Sequence, residues 1–202
     1  EEEIRIKKIG VDKNKDSLGR KLISAYVNNY DVIEVKGDNL IEYFDSIRET
    51  SQEMLALEIM ELVPKKVIIK DFLNTSDINL DNIMKRIDMM IRAMIEEIKE
   101  SVSKKEPVNL DLRDKDINRM FYVATKLINK VLEKPKLAKS MGIPIKDVLF
   151  KWRVLVSFEI IGDQLKRIIR LFHKLSLEIE KKRVLKIFKL ISDKYLKIIK
   201  EL

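Results

Sequence analysis

Two carboxylates, Glu159 and Asp163, stand four residues apart in the stretch FEIIGDQLKRI, residues 158–168. On a helix that spacing puts them on one side, a turn apart. Counting about 100° per residue aligns them with Val148, Trp152 and Leu155, so an apolar stripe turns acidic halfway along. A buried carboxylate pair is costly unless a cation or another partner offsets it. Oxygen ligands of this kind suit divalent or iron-type metal ions such as Mg²⁺, Mn²⁺ or iron. Lys166 and Arg170 continue the same line, which gives a plainer reading. Asp163 and Lys166 then form an exposed ion pair worth a few tenths of a kcal/mol. Spacing alone favours that pair. Gly162 pulls slightly the other way. A glycine inside a helix costs about 1 kcal/mol relative to alanine and usually has a packing reason, such as close approach of a neighbouring helix.

Asp114 and Asn118 repeat the four-residue spacing in an earlier helical stretch, in line with Phe121 and Thr125. They extend the candidate metal set to Glu159, Asp163, Asp114 and Asn118. The plainer reading, again favoured by spacing, is a helix-start carboxylate facing the dipole and an ordinary surface Asn. His173 is the only histidine and sits among Leu and Phe, where a packed or surface role outweighs metal ligation. There is no cysteine, and Ser157 has no activating base. No nucleophile, base and oxyanion set can be assembled, so the chain is expected not to be an enzyme and to need no organic cofactor. Carboxylate-bridged di-iron chemistry needs Glu-x-x-His pairs on two helices, which one histidine cannot supply. Trp152 and Tyr122 read most simply as core residues.

The elements that must position these residues fall into two regions. The chain has 202 residues, 46% of them hydrophobic, enough for one medium domain or two small ones. Charged residues make up 37%, with only five glycines and four prolines, a composition that suits a helix-rich fold. The lack of cysteine excludes disulfides and thiolate-held metals. No apolar run reaches the ~18 residues of a membrane span, and no signal-peptide layout is present, so a cytoplasmic location is expected. The chain starts with Glu1 rather than Met and is expected to be a domain cut from something longer. The net charge of +8 is spread along helices. Solvated helix faces are the favoured reading, against nucleic acid, an acidic partner or an anionic membrane face.

Residues 1–75 change pattern every dozen positions. IRIKKIGV alternates as a half-buried strand does, and Ser17 is placed to cap a helix with Leu18, Leu22, Ala25 and Tyr26 on one side. DVIEVKGD reads as a second strand ended by Gly37, and Asn39 as the cap of a second helix. LEIMEL and KVIIKDF flank Val63-Pro64-Lys65, a hairpin turn. Beyond Asn79, a helix cap, helical periodicity dominates: about Leu80–Val102, then from beyond Pro107 to about Leu132, about Pro144–Leu175, and about Ile179–Glu201. KLAKSMGIP is expected to be a linker, with Gly142 as a helix stop and Pro144 opening the next helix. The expected class is α+β: a small α/β domain over 1–75 and an antiparallel helical bundle over 76–202.

FEIIGDQLKRI resembles the LERIGD helix signature of PhoU-like phosphate-uptake regulators, and RDKDINRMF resembles that family's second-helix stretch. LDNIMKRIDMMIRAMIEEIKE is similar to the family's Met-rich first helix, and KLAKSMGIPIKDVL to the linker before its third. The likeness covers about residues 77–175. The last helix resembles the start of a second three-helix repeat, and residues 1–75 the α/β segment that precedes the bundle in archaeal members. Those members often begin with a DNA-binding AbrB-type domain, which this sequence lacks. Ile160-Ile161 replaces the usual Arg-Ile, and Asn118 stands where some members have a second carboxylate. The resemblance implies a non-enzymatic regulator of phosphate import and phosphate-dependent signalling. It also implies metal on the bundle and a transporter ATPase, sensor or transcription factor as partner. Departure from the full acidic set reduces the expected metal to a single weak site or none. A homo-oligomer is compatible with the same resemblance. The alternative is a fragment of a DNA-associated transcriptional regulator that would touch nucleic acid only through a missing domain.

Overall fold

The computed structural model describes residues 3–11, 15–75, 78–104, 106–140, 144–175 and 178–200. It is α+β. Strands β1 (Ile6–Gly10), β2 (Val32–Lys36), β3 (Leu57–Val63) and β4 (Lys66–Asp71) form one mixed sheet in the order β1-β2-β4-β3. Helices α1 (Lys15–Val27) and α2 (Phe44–Gln52) accompany it, the second entered through a 3-10 turn at Ile41–Tyr43. Five further helices follow: α3 (Leu80–Lys104), α4 (Asp111–Glu133), α5 (Pro135–Ser140), α6 (Ile145–Lys174) and α7 (Glu178–Ile199). No helix among the described residues is long and apolar enough to cross a membrane.

By compactness the chain divides into two units, Glu1–Met84 with Asn118–Val156, and Lys85–Ile117 with Ser157–Leu202. In the first, β1 and β2 pair in parallel and the remaining ladders are antiparallel. The period-2 pattern sends Ile9, Ile33, Val35, Val67 and Ile69 to one face, where they meet Leu18, Leu22, Ala25 and Tyr26 of α1 and Ile47 of α2. Pro64 and Lys65 turn the hairpin as expected, and the loop before α2 folds back on it through Leu40 N donating to Pro64 O at 2.7 Å. Gly37 makes this possible, since a Cβ there would sit 2.8 Å from Leu40 Cδ2.

Three local expectations need correction. Ser17 does not cap α1, because the helix already includes Lys15. Asn39 does not accept a capping bond. Its Nδ2 donates to Glu42 Oε1 at 3.1 Å, and the 3-10 turn comes before α2. The expected linker opens with α5, in which Pro135 both stops α4 and supplies the fixed φ of a first helical position. Gly142 lies outside the described residues. Asn79 does cap α3, its Oδ1 accepting from Asn82 N at 3.0 Å.

The first unit also contains a buried cation. The last carbonyls of a helix have no partner within it. At the end of α1, Tyr26 O accepts from Lys126 Nζ at 3.0 Å and Val27 O from Asn129 Nδ2 at 2.9 Å, both donors on α4. A cation here also complements the negative end of the helix dipole. Lys126 is buried, pairs at 2.5 Å with Asp71, whose side chain keeps 7% of its exposure, and lies 4.7 Å from the Tyr26 ring centre. Burial lowers its pKa, while Asp71 opposes the shift. Lys130 Nζ donates to Thr75 Oγ1 at 2.9 Å, and Trp152 stacks on Phe121 at 5.8 Å. Tyr122 packs against the sheet core.

The second unit is helical. Ile87, Ile91, Met94, Ile95 and Ile98 of α3 are buried, as are Phe158, Leu165 and Ile169 of α6 and Phe188 and Tyr195 of α7. Tyr195 Oη donates to Asp88 Oδ1 at 2.6 Å and packs edge-on against Phe158. Replacing Lys126 by Met strands the Asp71 carboxylate and leaves Tyr26 O without its donor. Chemical denaturation of Lys126→Met should therefore show a loss of about 3 kcal/mol, against about 1 kcal/mol for Asn129→Ala.

Candidate functional site

Within the second unit, α4 and α6 meet at a point where α6 carries no side chain. Gly162 of α6 is buried, and a Cβ built on it would lie 3.1 Å from Ile117 Cδ1 of α4. The packing reason expected for this glycine is present. The approach sets a register in which α4 runs backwards as α6 runs forwards. Ile117 faces Gly162, Asp114 bonds to Lys166, and Asp111 bonds to Arg170. Steps of three on one helix meet steps of four on the other, the spacing at which each helix returns to the same face.

Asp163 joins this seam. Its carboxylate is 3.3 Å from Lys166 Nζ and 3.8 Å from the Arg167 guanidinium. The ion pair expected from spacing therefore forms, but Lys166 also reaches across to Asp114. The side chains of Asp114 and Lys166 retain only 8% and 16% of their exposure. Burial alone would lower the Lys166 pKa, yet hydrogen bonding and charge from Asp114 and Asp163 raise it overall. Glu159, one turn before Asp163, is half-buried and makes no hydrogen bond or ion pair among the described residues. Its pKa is raised, first by burial and then by the charges of Asp163 and Asp114, with Lys166 and Arg167 opposing.

Three of the four candidate ligands thus feel one another's charge, and Lys166 stands among them. Asn118 is half-buried and belongs to the first unit. As placed, the carboxylates do not fit a metal ion. The ammonium already neutralises two of them, and no group of three or more acidic or histidine side chains among the described residues is arranged to hold a cation. His173 lies on the surface, 3.4 Å from Ser101 Oγ and edge-on to Phe172. The cross-helix roles of Lys166, Arg170 and Asp111 left no local trace in the sequence; only the Asp163–Lys166 spacing pointed at the lysine.

Compared with family models, curated proteins and solved structures, the chain matches none.

Two measurements test this geometry. Gly162→Val must force the helices apart or drive Ile117 off its rotamer, and a loss of about 2 kcal/mol is expected in denaturant melts. Glu159 has a folded pKa above its unfolded one, so its stabilising contribution is present below the unfolded value and lost as pH rises through the folded value. Glu159→Gln should accordingly be more stable than the parent at neutral pH, by less than about 1 kcal/mol after solvent screening. Thermal melts across pH should show the difference closing below about pH 4.

Proposed function

We propose that this chain is a non-enzymatic, PhoU-like regulator of phosphate uptake and phosphate-dependent signalling. It acts in the cytoplasm through protein partners, namely a transporter ATPase and a sensor or transcription factor. The observation that supports this reading best is the antiparallel seam at Gly162. It sets RDKDI against FEIIGDQLKRI, parts of two of the stretches that carry the resemblance, with Asp114, Glu159 and Asp163 gathered there. The helices after residue 79 form an antiparallel bundle of the PhoU-like kind in this reading, and the sheet layer is its α/β companion.

In this chain Lys166 does electrostatically what a metal ion would do among the same carboxylates. It neutralises Asp114 and Asp163 and holds α4 to α6 without an exchangeable ligand. Metal analysis of protein purified without a polyhistidine tag should then find no ion that depends on Glu159 and Asp163. Metal lost in the Glu159→Ala/Asp163→Ala variant would mean that Lys166 moves aside for it.

The function itself is tested by co-purification from phosphate-starved and phosphate-replete cells. The expected result is a transporter ATPase or sensor recovered in an amount that follows phosphate supply. A partner set indifferent to phosphate, together with unchanged phosphate uptake after loss of the chain, would overturn the reading. Duplex DNA binding at low salt that weakens steeply with added salt would instead favour the DNA-associated regulator.

A further inference from the structure

The sheet has an unpaired edge with a groove beside it. Within β1–β2, Arg5 O accepts from Val32 N, and Val11 N donates to Lys36 O. The alternation of a parallel ladder then turns the N–H and C=O groups of Ile6, Lys8 and Gly10 away from β2. β1 is an end strand, so among the described residues no other strand takes these groups. Beside them lies an open groove of about 470 Å³, lined by Lys7, Lys8, Arg20 and Lys21 together with Ser17 and Ser24. Among the described residues the lining supplies four cations and no carboxylate. Lys8 and Arg20 make no ion pair among the described residues, whereas Lys126, Lys151 and Lys166 are all paired. On the face of β1 away from α1, Ile4 and Ile6 are 67% and 53% exposed.

We propose that this groove receives an extended segment of a partner protein, added to the sheet as a fifth strand, with acidic and apolar side chains alternating along it. Main-chain bonds to Ile6, Lys8 and Gly10 supply the pairing, as in other cases where a peptide lies between an edge strand and a helix. The period of two supplies the pattern. Side chains on the helix side meet Lys7, Arg20 and Lys21 and are carboxylates. Those on the open side meet Ile4 and Ile6 and are apolar. Lysines on an edge strand discourage indiscriminate pairing, and the same charges select an acidic strand. A second copy of this chain is the poorer occupant, because two β1 strands side by side would set Lys7 and Lys8 against their own kind.

The probe is a short peptide of alternating Glu and Val, acetylated and amidated, titrated onto the full chain. Binding should protect the Ile6, Lys8 and Gly10 amides from hydrogen exchange. It should weaken about tenfold or more in Lys7→Glu/Arg20→Glu, exposed changes that leave the melting curve in place. A Lys–Val peptide should not bind. Of two N-methylated versions, one methylated at every Glu and the other at every Val, one should bind and the other fail, since only one set of N–H groups can face β1. Equal binding of both methylated versions would overturn strand addition. So would no binding, no protection at the three amides, or equal binding of the Lys–Val peptide. An oligonucleotide that protects those amides better than the peptide would overturn the choice of partner. So would a chain dimer that the double charge reversal dissolves.

Discussion

The absence of one side chain governs the helical half. At Gly162 the backbone of α6 comes within van der Waals reach of Ile117, closer than any larger residue allows without displacement. A glycine is costly inside a helix, and here the cost is offset by what the approach permits. Asp has one methylene fewer than Glu, so it bridges two helices only when they are close. Asp114 reaches Lys166 for that reason, and Asp111 meets Arg170 one turn further along. The acidic cluster, the raised pKa of Glu159 and the position held by the Lys166 ammonium all follow from the register set at this contact.

The other unit meets a related difficulty at a helix end. The terminal carbonyls of α1 have no partner within the helix, and α4 supplies the donors. Lys126 is a demanding choice, because a buried ammonium needs its own counter-charge. Asp71, at the end of β4, provides it. A strand end, a helix end and the side of another helix are thereby tied through one cation. Each unit thus places a lysine between elements distant in sequence and lets carboxylates decide its position.

Much of this was legible in the chain, and the misses have physical reasons. The strands and the hairpin at Pro64 were visible because period-2 alternation and turn chemistry are local. The stripes of α3 and α4 were visible because a helix repeats its buried positions within a few residues. Ser17 and Asn39 misled because their side chains suit a cap, while α1 already includes Lys15 and a 3-10 turn precedes α2. α5 was hidden by Pro135, which serves equally as terminator and first residue. Gly162 could be singled out as needing a neighbour, and Asp163 could be paired with Lys166 from spacing. That Lys166 goes on to Asp114, and Lys126 to Asp71, could not be read, since partners 52 and 55 residues away leave no periodic trace.

The seam between α4 and α6 is graded by depth. Ile117 and Gly162 are buried, the Asp114–Lys166 pair is nearly so, and at Asp111 and Arg170 the side chains are 43% and 55% exposed. Screening by salt acts on the exposed rung and fades toward the dry one. Such a fastening loosens directionally. Its outer tooth yields first to ionic strength, while the inner teeth hold the apolar contact that sets the alignment.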